Sequence, residues 1–217
     1  MKTQKKHRLN LTFLMKKFAF VGLITLLTSC VSASIGEKIG SYENPKKALI
    51  VIDMQLDFLG KNAKMPIEAG TETNLINVVN SIIDDYNDNG YKIIYIKNVY
   101  EKHAIANFFQ GNVTIKGADG IEIDPRIHIV SNNIFEKNKG DSFTNKEFEQ
   151  FLIDNEVNEI FVCGIMAHGC VYATALGGQN RNYTVNYISN AVGAPKSKNI
   201  ENAIKKLKNK GVNIIEY

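Results

Sequence analysis

Three side chains of complementary reactivity fall at or just beyond the ends of apolar runs. Ala48-Leu49-Ile50-Val51-Ile52 runs into Asp53, Asn133 to Lys137 closes on its lysine, and Glu159 to Gly164 is followed by a short turn and Cys170. A thiol is a poor nucleophile until it is deprotonated, and a helix start with a nearby ammonium lowers its pKa. A carboxylate can take the thiol proton and hand it to a leaving group. Backbone N–H groups at a helix start can hold a developing oxyanion. An acid, an amine and a thiol brought into one crevice would therefore suit attack on a carbonyl, with Cys170 alkylating faster than a free thiol at pH 6. Each residue alone has a plainer role: a strand-end cap, a solvated lysine, a packed cysteine.

The elements needed to bring them together are legible. The run 48–52 is uninterrupted, as in a strand buried on both faces of a parallel sheet. Leu75, Val78, Val79, Ile82, Ile83 and Tyr86 follow helical spacing, and Gly90 stops that helix. Tyr91 to Lys97 reads as a second strand, Asn133 to Lys137 as a third and Glu159 to Gly164 as a fourth. Tyr183 to Ser189 and Val212 to Glu216 read as the fifth and sixth. Thr144-Asn145-Lys146-Glu147 has the capping-box pattern and should open a helix with Phe148, Phe151 and Leu152 inward. A further helix is expected from Cys170, and another from Ser197 to about Lys210. Strands separated by helices imply right-handed crossovers and a parallel sheet covered on both faces. Ligands then bind beyond the carboxyl ends of the strands. Residues 98–126, with several glycines and Asp124-Pro125, read as a long loop of the kind that often carries function.

Three segments resemble the isochorismatase-like cysteine hydrolases. Residues 49–58 carry an apolar run, then Asp53-Met54-Gln55, one residue, and Asp57-Phe58. Lys137 stands six residues before Phe143, and Gly164 to Val171 with Thr174-Ala175 resembles the nucleophile segment. The resemblance covers about 46–217. It implies a three-layer α/β/α, Rossmann-like fold with a six-stranded parallel sheet in the order 3-2-1-4-5-6. It makes Cys170 the nucleophile, Asp53 the general base and acid, and Lys137 their electrostatic partner. It also implies a cis peptide at Ile165–Met166, with the N–H groups of Met166 and Cys170 as oxyanion hole. Gln55, Phe58, Tyr100, His103, Phe108 and His168 are the expected substrate contacts, His168 either touching substrate or sitting at the pocket rim. The nicotinamidase branch holds a metal with an Asp and two His after the second strand. Here that loop offers His103 without an Asp-X-His pattern, and His128 is far along, so neither metal nor cofactor is expected. Cys163 reads as a core residue, although a disulfide to Cys170 would silence the site.

The net charge of +4 belongs to the front of the chain. Residues 1–29 hold six lysines and arginines and no acid, which leaves 20 basic against 22 acidic residues, near −2. That argues against nucleic-acid binding, and Lys205-Lys206-Leu207-Lys208 reads as a solvated helix face. Lys16-Lys17, the apolar run Phe18 to Leu27 and Leu27-Thr28-Ser29-Cys30 have the grammar of a secretory signal ending in a lipobox. The run is too short to span a bilayer as a helix. Residues 1–29 are thus expected to be a signal peptide, starting at Met1 or Met15. Cys30 would be lipidated, 30–45 would form its tether, and 46–217 the hydrolase domain in the bacterial cell envelope. A plain cleaved signal and an uncleaved anchor remain open. The expected activity is metal-independent hydrolysis of a small amide, carbamoyl or imide compound, with a homo-oligomer possible. Nicotinamidase, isochorismatase and a non-catalytic surface binding module are the alternatives.

Overall fold

The computed structural model describes residues 32–102 and 111–217. Six parallel strands form one sheet in the order β3-β2-β1-β4-β5-β6. They are β1 (Lys46–Ile52), β2 (Lys92–Asn98), β3 (Ile134–Lys137), β4 (Val157–Ile165), β5 (Thr184–Gly193) and β6 (Asn213–Ile215). The helices are α1 (Leu56–Leu59), α2 (Glu72–Asp88), α3 (Lys146–Asp154), α4 (Cys170–Gln179) and α5 (Ser197–Lys208). Among the described residues no helix is long and apolar enough to cross a membrane.

The central strands are apolar throughout because both faces are covered. Ala48, Ile50 and Ile52 join Phe148 of α3, Val171 of α4 and Leu207 of α5 in one core. Leu49 and Val51 point the other way, into a second core with Leu75, Val79 and Ile83 of α2. This period-two division of a single strand between two cores creates the three layers. The order reverses between β1 and β4, which pair directly. The reversal splays the connections on either side of the carboxyl ends of β1 and β4, the crevice predicted for ligands.

Several boundaries move from the sequence expectation. β5 runs to Gly193, because the ladder with β4 shifts between Val162 and Gly164 and resumes at Gly164↔Val192. Asn145, not Thr144, caps α3: its side chain accepts from the N–H groups of Glu147 and Phe148. Thr144 instead closes a short 3-10 turn, Ser142–Thr144, by donating its hydroxyl to the Asp141 carbonyl. Ser197 opens α5 without a side-chain cap, its N–H being taken by Glu68.

The segment read as a tether is partly docked. The N–H and hydroxyl of Ser34 both donate to Asp141 Oδ2, at 2.6 and 2.7 Å. The Ser34 carbonyl accepts from Arg181 and Asn180, and the Ile39 N–H donates to the Arg181 carbonyl. Arg181 is itself buried, bonded to Glu149 and the Gly177 carbonyl, with Phe143 stacked on its guanidinium. A β-carbon on Gly36 would fall 2.4 Å from that guanidinium. Composition reads residues 30–45 as a tether, but Asp141 and Arg181, two buried charges that need partners, hold Ser34 and Ile39 of it as a strap.

Candidate active site

β1 ends at Ile52, and Asp53 turns out of the sheet with φ 54°, its N–H held by the Ile96 carbonyl. β3 delivers Lys137 beside it. Lys137 Nζ donates to Asp53 Oδ2 at 2.8 Å and to Asn98 Oδ1 at 3.3 Å, with both side chains of the ion pair shut off from solvent. Asp53 Oδ1 is buried with no hydrogen-bond partner among the described residues. β4 leads through the cis peptide Ile165–Met166 into a turn closed by the N–H groups of Gly169 and Val171, both donating to the Met166 carbonyl. Cys170 opens α4 directly after that turn, next to Asp53 and Lys137. The three residues singled out from sequence thus meet at the carboxyl ends of three strands, and Met166 and Cys170 flank the turn over them.

The electrostatics differ from expectation at one point. Burial pushes the Cys170 thiol up to about 12, and the Asp53 charge adds to that against the opposing pull of Lys137. A helix start and an ammonium do not outweigh this desolvation. Asp53 is also raised by burial, although Lys137 holds it down in part. Burial works against the Lys137 charge, but Asp53 and Cys170 overcome it and keep the ammonium. With the Lys137 ammonium 2.8 Å from Asp53 Oδ2, the geometry suits a resting set of thiol, carboxylate and ammonium. Moving the proton from sulfur to Asp53 leaves the net charge unchanged.

That proton shift has a measurable signature. Between the two macroscopic pKa values of a coupled pair, the thiolate–carboxylic acid tautomer has a constant population. Iodoacetamide alkylation of Cys170 is expected to be nearly flat from pH 6 to 8, whereas a lone thiol gains about tenfold per unit below its pKa. Asp53→Asn removes the repelling carboxylate and leaves the ammonium. It should replace the plateau by one rising titration with a midpoint below the wild-type thiol value. A wild-type rate that climbs tenfold per unit would show that no such pair exists.

The remaining expected contacts divide. Gln55 is fully buried and used up: its Oε1 accepts from the Asn98 N–H, and its Nε2 donates to the carbonyls of Asn98 and Ile121. It brackets the chain rather than facing a ligand. Phe58 is a core residue, packed with Leu49, Val51 and Met54. Tyr100 is half-buried and its backbone pairs with Thr114 and Lys116. His168 is half-buried; burial and Lys206 of α5 lower its pKa, which keeps the imidazole neutral near pH 7. His103 and Phe108 lie outside the described residues, as do Cys30 and the leader. Cys163 lies in the core on the opposite face of the sheet from Cys170, its thiol near the Ile50 carbonyl.

The sequence pattern does not mark Asn98, which touches Lys137, nor Thr114 and Asp57, which follow it in a chain of hydrogen bonds. It also missed a cleft of 460 Å³ beside Lys137, lined in part by Val99, Glu101, Glu136, Asn138 and Thr144. The metal set of the nicotinamidase branch is not matched by the described residues. No three His, Cys, Asp or Glu side chains among them converge, and the His128 ring is paired with Asp84 on α2.

A parallel α/β sheet with helices on both faces and an acid, a lysine and a thiol at its switch point defines the class. The isochorismatase domain profile matches residues 47–217, and the chain belongs to the isochorismatase family. It is 27% identical over 145 residues to the uncharacterized isochorismatase family protein YddQ of Bacillus subtilis (strain 168), covering 66% of this chain and 76% of that protein. An isochorismatase-like hydrolase from Alkaliphilus metalliredigens superposes with a TM-score of 0.71 at 19% identity, over 79% of this chain and 94% of that one. The pyrazinamidase of Pyrococcus horikoshii in complex with zinc gives 0.71 at 23% identity, over 80% and 100%. The nicotinamidase/pyrazinamidase of Bacillus subtilis gives 0.71 at 22%, over 79% and 100%. At these identities the solved structures establish the shared fold.

Proposed function

We propose that this isochorismatase-family protein is a metal-independent cysteine hydrolase of a small amide, carbamoyl or imide compound. The buried Asp53–Lys137 pair next to the Cys170 thiol is the observation that supports this most directly. Asp53 takes the thiol proton as sulfur bonds to the carbonyl carbon. The carbonyl electron pair moves onto oxygen, which the N–H groups of Met166 and Cys170 hold. Asp53 then protonates the leaving nitrogen, the C–N bond breaks and a thioester remains. Water, deprotonated by Asp53, attacks the thioester, and the thiolate leaves and recovers its proton. Lys137 keeps the site neutral through both halves. No step needs a metal. The test is ammonia release by the purified full-length protein across a panel of small amides, ureas and imides. Release that survives loss of the thiol, or that requires added zinc, overturns the reading.

The leader supports a second part of the proposal: export, with a lipid on Cys30. The Ser34 clamp would then leave only four residues between lipid and folded domain, at most about 14 Å of extended chain. Radiolabelled palmitate should enter the wild-type protein and not Cys30→Ser. Equal labelling of both, or of neither, removes the anchor.

A further inference from the structure

We infer that Asn98 is a positioning residue: its buried amide holds Lys137 against Asp53 and ties that pair to the loop 111–121 through Thr114 and Asp57. This rests on the cysteine-hydrolase reading and adds to it how the lysine is kept in place.

The amide has two ends and both are used. Oδ1 accepts from Lys137 Nζ at 3.3 Å, and Nδ2 donates to Thr114 Oγ1 at 2.9 Å. An amide can accept from an ammonium at one end and donate to a hydroxyl at the other, which neither a carboxylate nor an apolar side chain can do. Asn98 cannot drift, because Gln55 grips its N–H and its carbonyl together. Thr114 is fully buried and sits at φ 50°, in the left-handed region that a β-branched residue seldom adopts. What holds it there is Asp57, whose Oδ2 accepts the Thr114 N–H at 2.6 Å. Asp57 also packs so close to Gly120 that a β-carbon there would fall 2.2 Å from the carboxylate. One carboxylate thus pins the loop at two places, and the loop in turn supports the amide that steadies the lysine. A non-glycine residue held at positive φ by buried bonds is the kind of local cost found at functional sites.

The consequence is electrostatic. Of the other charges on elements packed against Asn98, Asp57 is closed on Lys64 and Thr114 and Lys97 on Glu122, while Glu136 of β3 is exposed at the edge of the cleft. Asn98 therefore acts on the set Asp53, Lys137 and Cys170. A carboxylate in its place would compete for the ammonium and raise the proton affinity of the Asp53–Cys170 pair. An apolar side chain would let the ammonium drift and do the same to a smaller extent.

The experiment is the pH dependence of iodoacetamide alkylation of Cys170 in the full chain, read at the acid edge of its plateau. Asn98→Asp should move that edge up by about one unit, and Asn98→Leu by about half as much. Thr114→Val should shift it in the same direction, and Thr114→Ser should restore it. Lys198→Gln on the outer face of α5 should leave it in place. Folded variants at both positions with an unmoved edge, whatever their melting temperatures, overturn the inference, since a merely structural amide lowers stability without moving the edge. Should Asn98→Leu fail to fold, the Thr114 pair decides. A wild-type thiol with no plateau overturns the hydrolase reading itself, and the role of Asn98 falls with it.

Discussion

Cys170→Ala should lower ammonia release by about a thousandfold or more, while circular dichroism and melting stay close to wild type. The size follows from what the thiol does. It supplies the covalent intermediate, so its loss leaves only the weak catalysis of a polar pocket acting on water. The fold should tolerate it, because Cys170 opens α4, where alanine is a good helix former and removes a single sulfur atom. Asp53→Asn should cost about 10²- to 10⁴-fold, the usual range for a general acid–base group, yet keep or even raise alkylation near neutral pH. Turnover and thiol reactivity would then separate. Loss of both in Asp53→Asn would mean that the acid orders the site rather than moving protons. Lys137→Met has the opposite sign on the sulfur: the one charge that favours thiolate goes, and the thiol becomes still harder to ionise.

The fold and the convergence of Asp53, Lys137 and Cys170 are legible because they depend on local pattern. Buried parallel strands read as apolar runs, and the reactive residues sit where those runs stop. What escaped depends on contacts remote in sequence. Asp57 reaches Thr114 across 57 positions, and Ser34 reaches Asp141 across 107. Nothing in the neighbourhood of Asp141 or Arg181 marks them as buried charges in need of a strap. Gln55 and Phe58 were read with the segment that contains Asp53, but the turn out of β1 sends one into a backbone bracket and the other into the core. The thiol pKa departs from the sequence expectation for a related reason. A helix start and a nearby lysine can be read from a sequence, whereas the depth of a sulfur against the core cannot.

The site also rests on a residue with no side chain, and Gly164→Ala is expected to be the most destabilising single-carbon change in the domain. Gly164 lies at φ 112°, where a side chain is strained whatever the space. Its missing β-carbon would stand 2.1 Å from the Ile52 carbonyl oxygen and 2.8 Å from the Ile52 nitrogen. Those are main-chain atoms of the central strand, paired with Gly164 in the ladder, and cannot rotate aside. The expected cost is about 4 kcal/mol or more. That is a fall in melting temperature of roughly 10 °C or more for a domain of this size, or failure to accumulate as soluble protein. Gly70→Ala separates the two causes. Gly70 lies at φ 84° with nothing within 4 Å of its missing β-carbon, so it bears the conformational cost alone, about 1 kcal/mol. If the two variants melted within a few degrees of each other, the close approach of β1 and β4 would be absent in solution. The approach matters because Asp53 follows Ile52 directly and the turn to Cys170 begins two residues after Gly164. The contact that forbids a methyl group there is the one that brings acid and thiol to the same point.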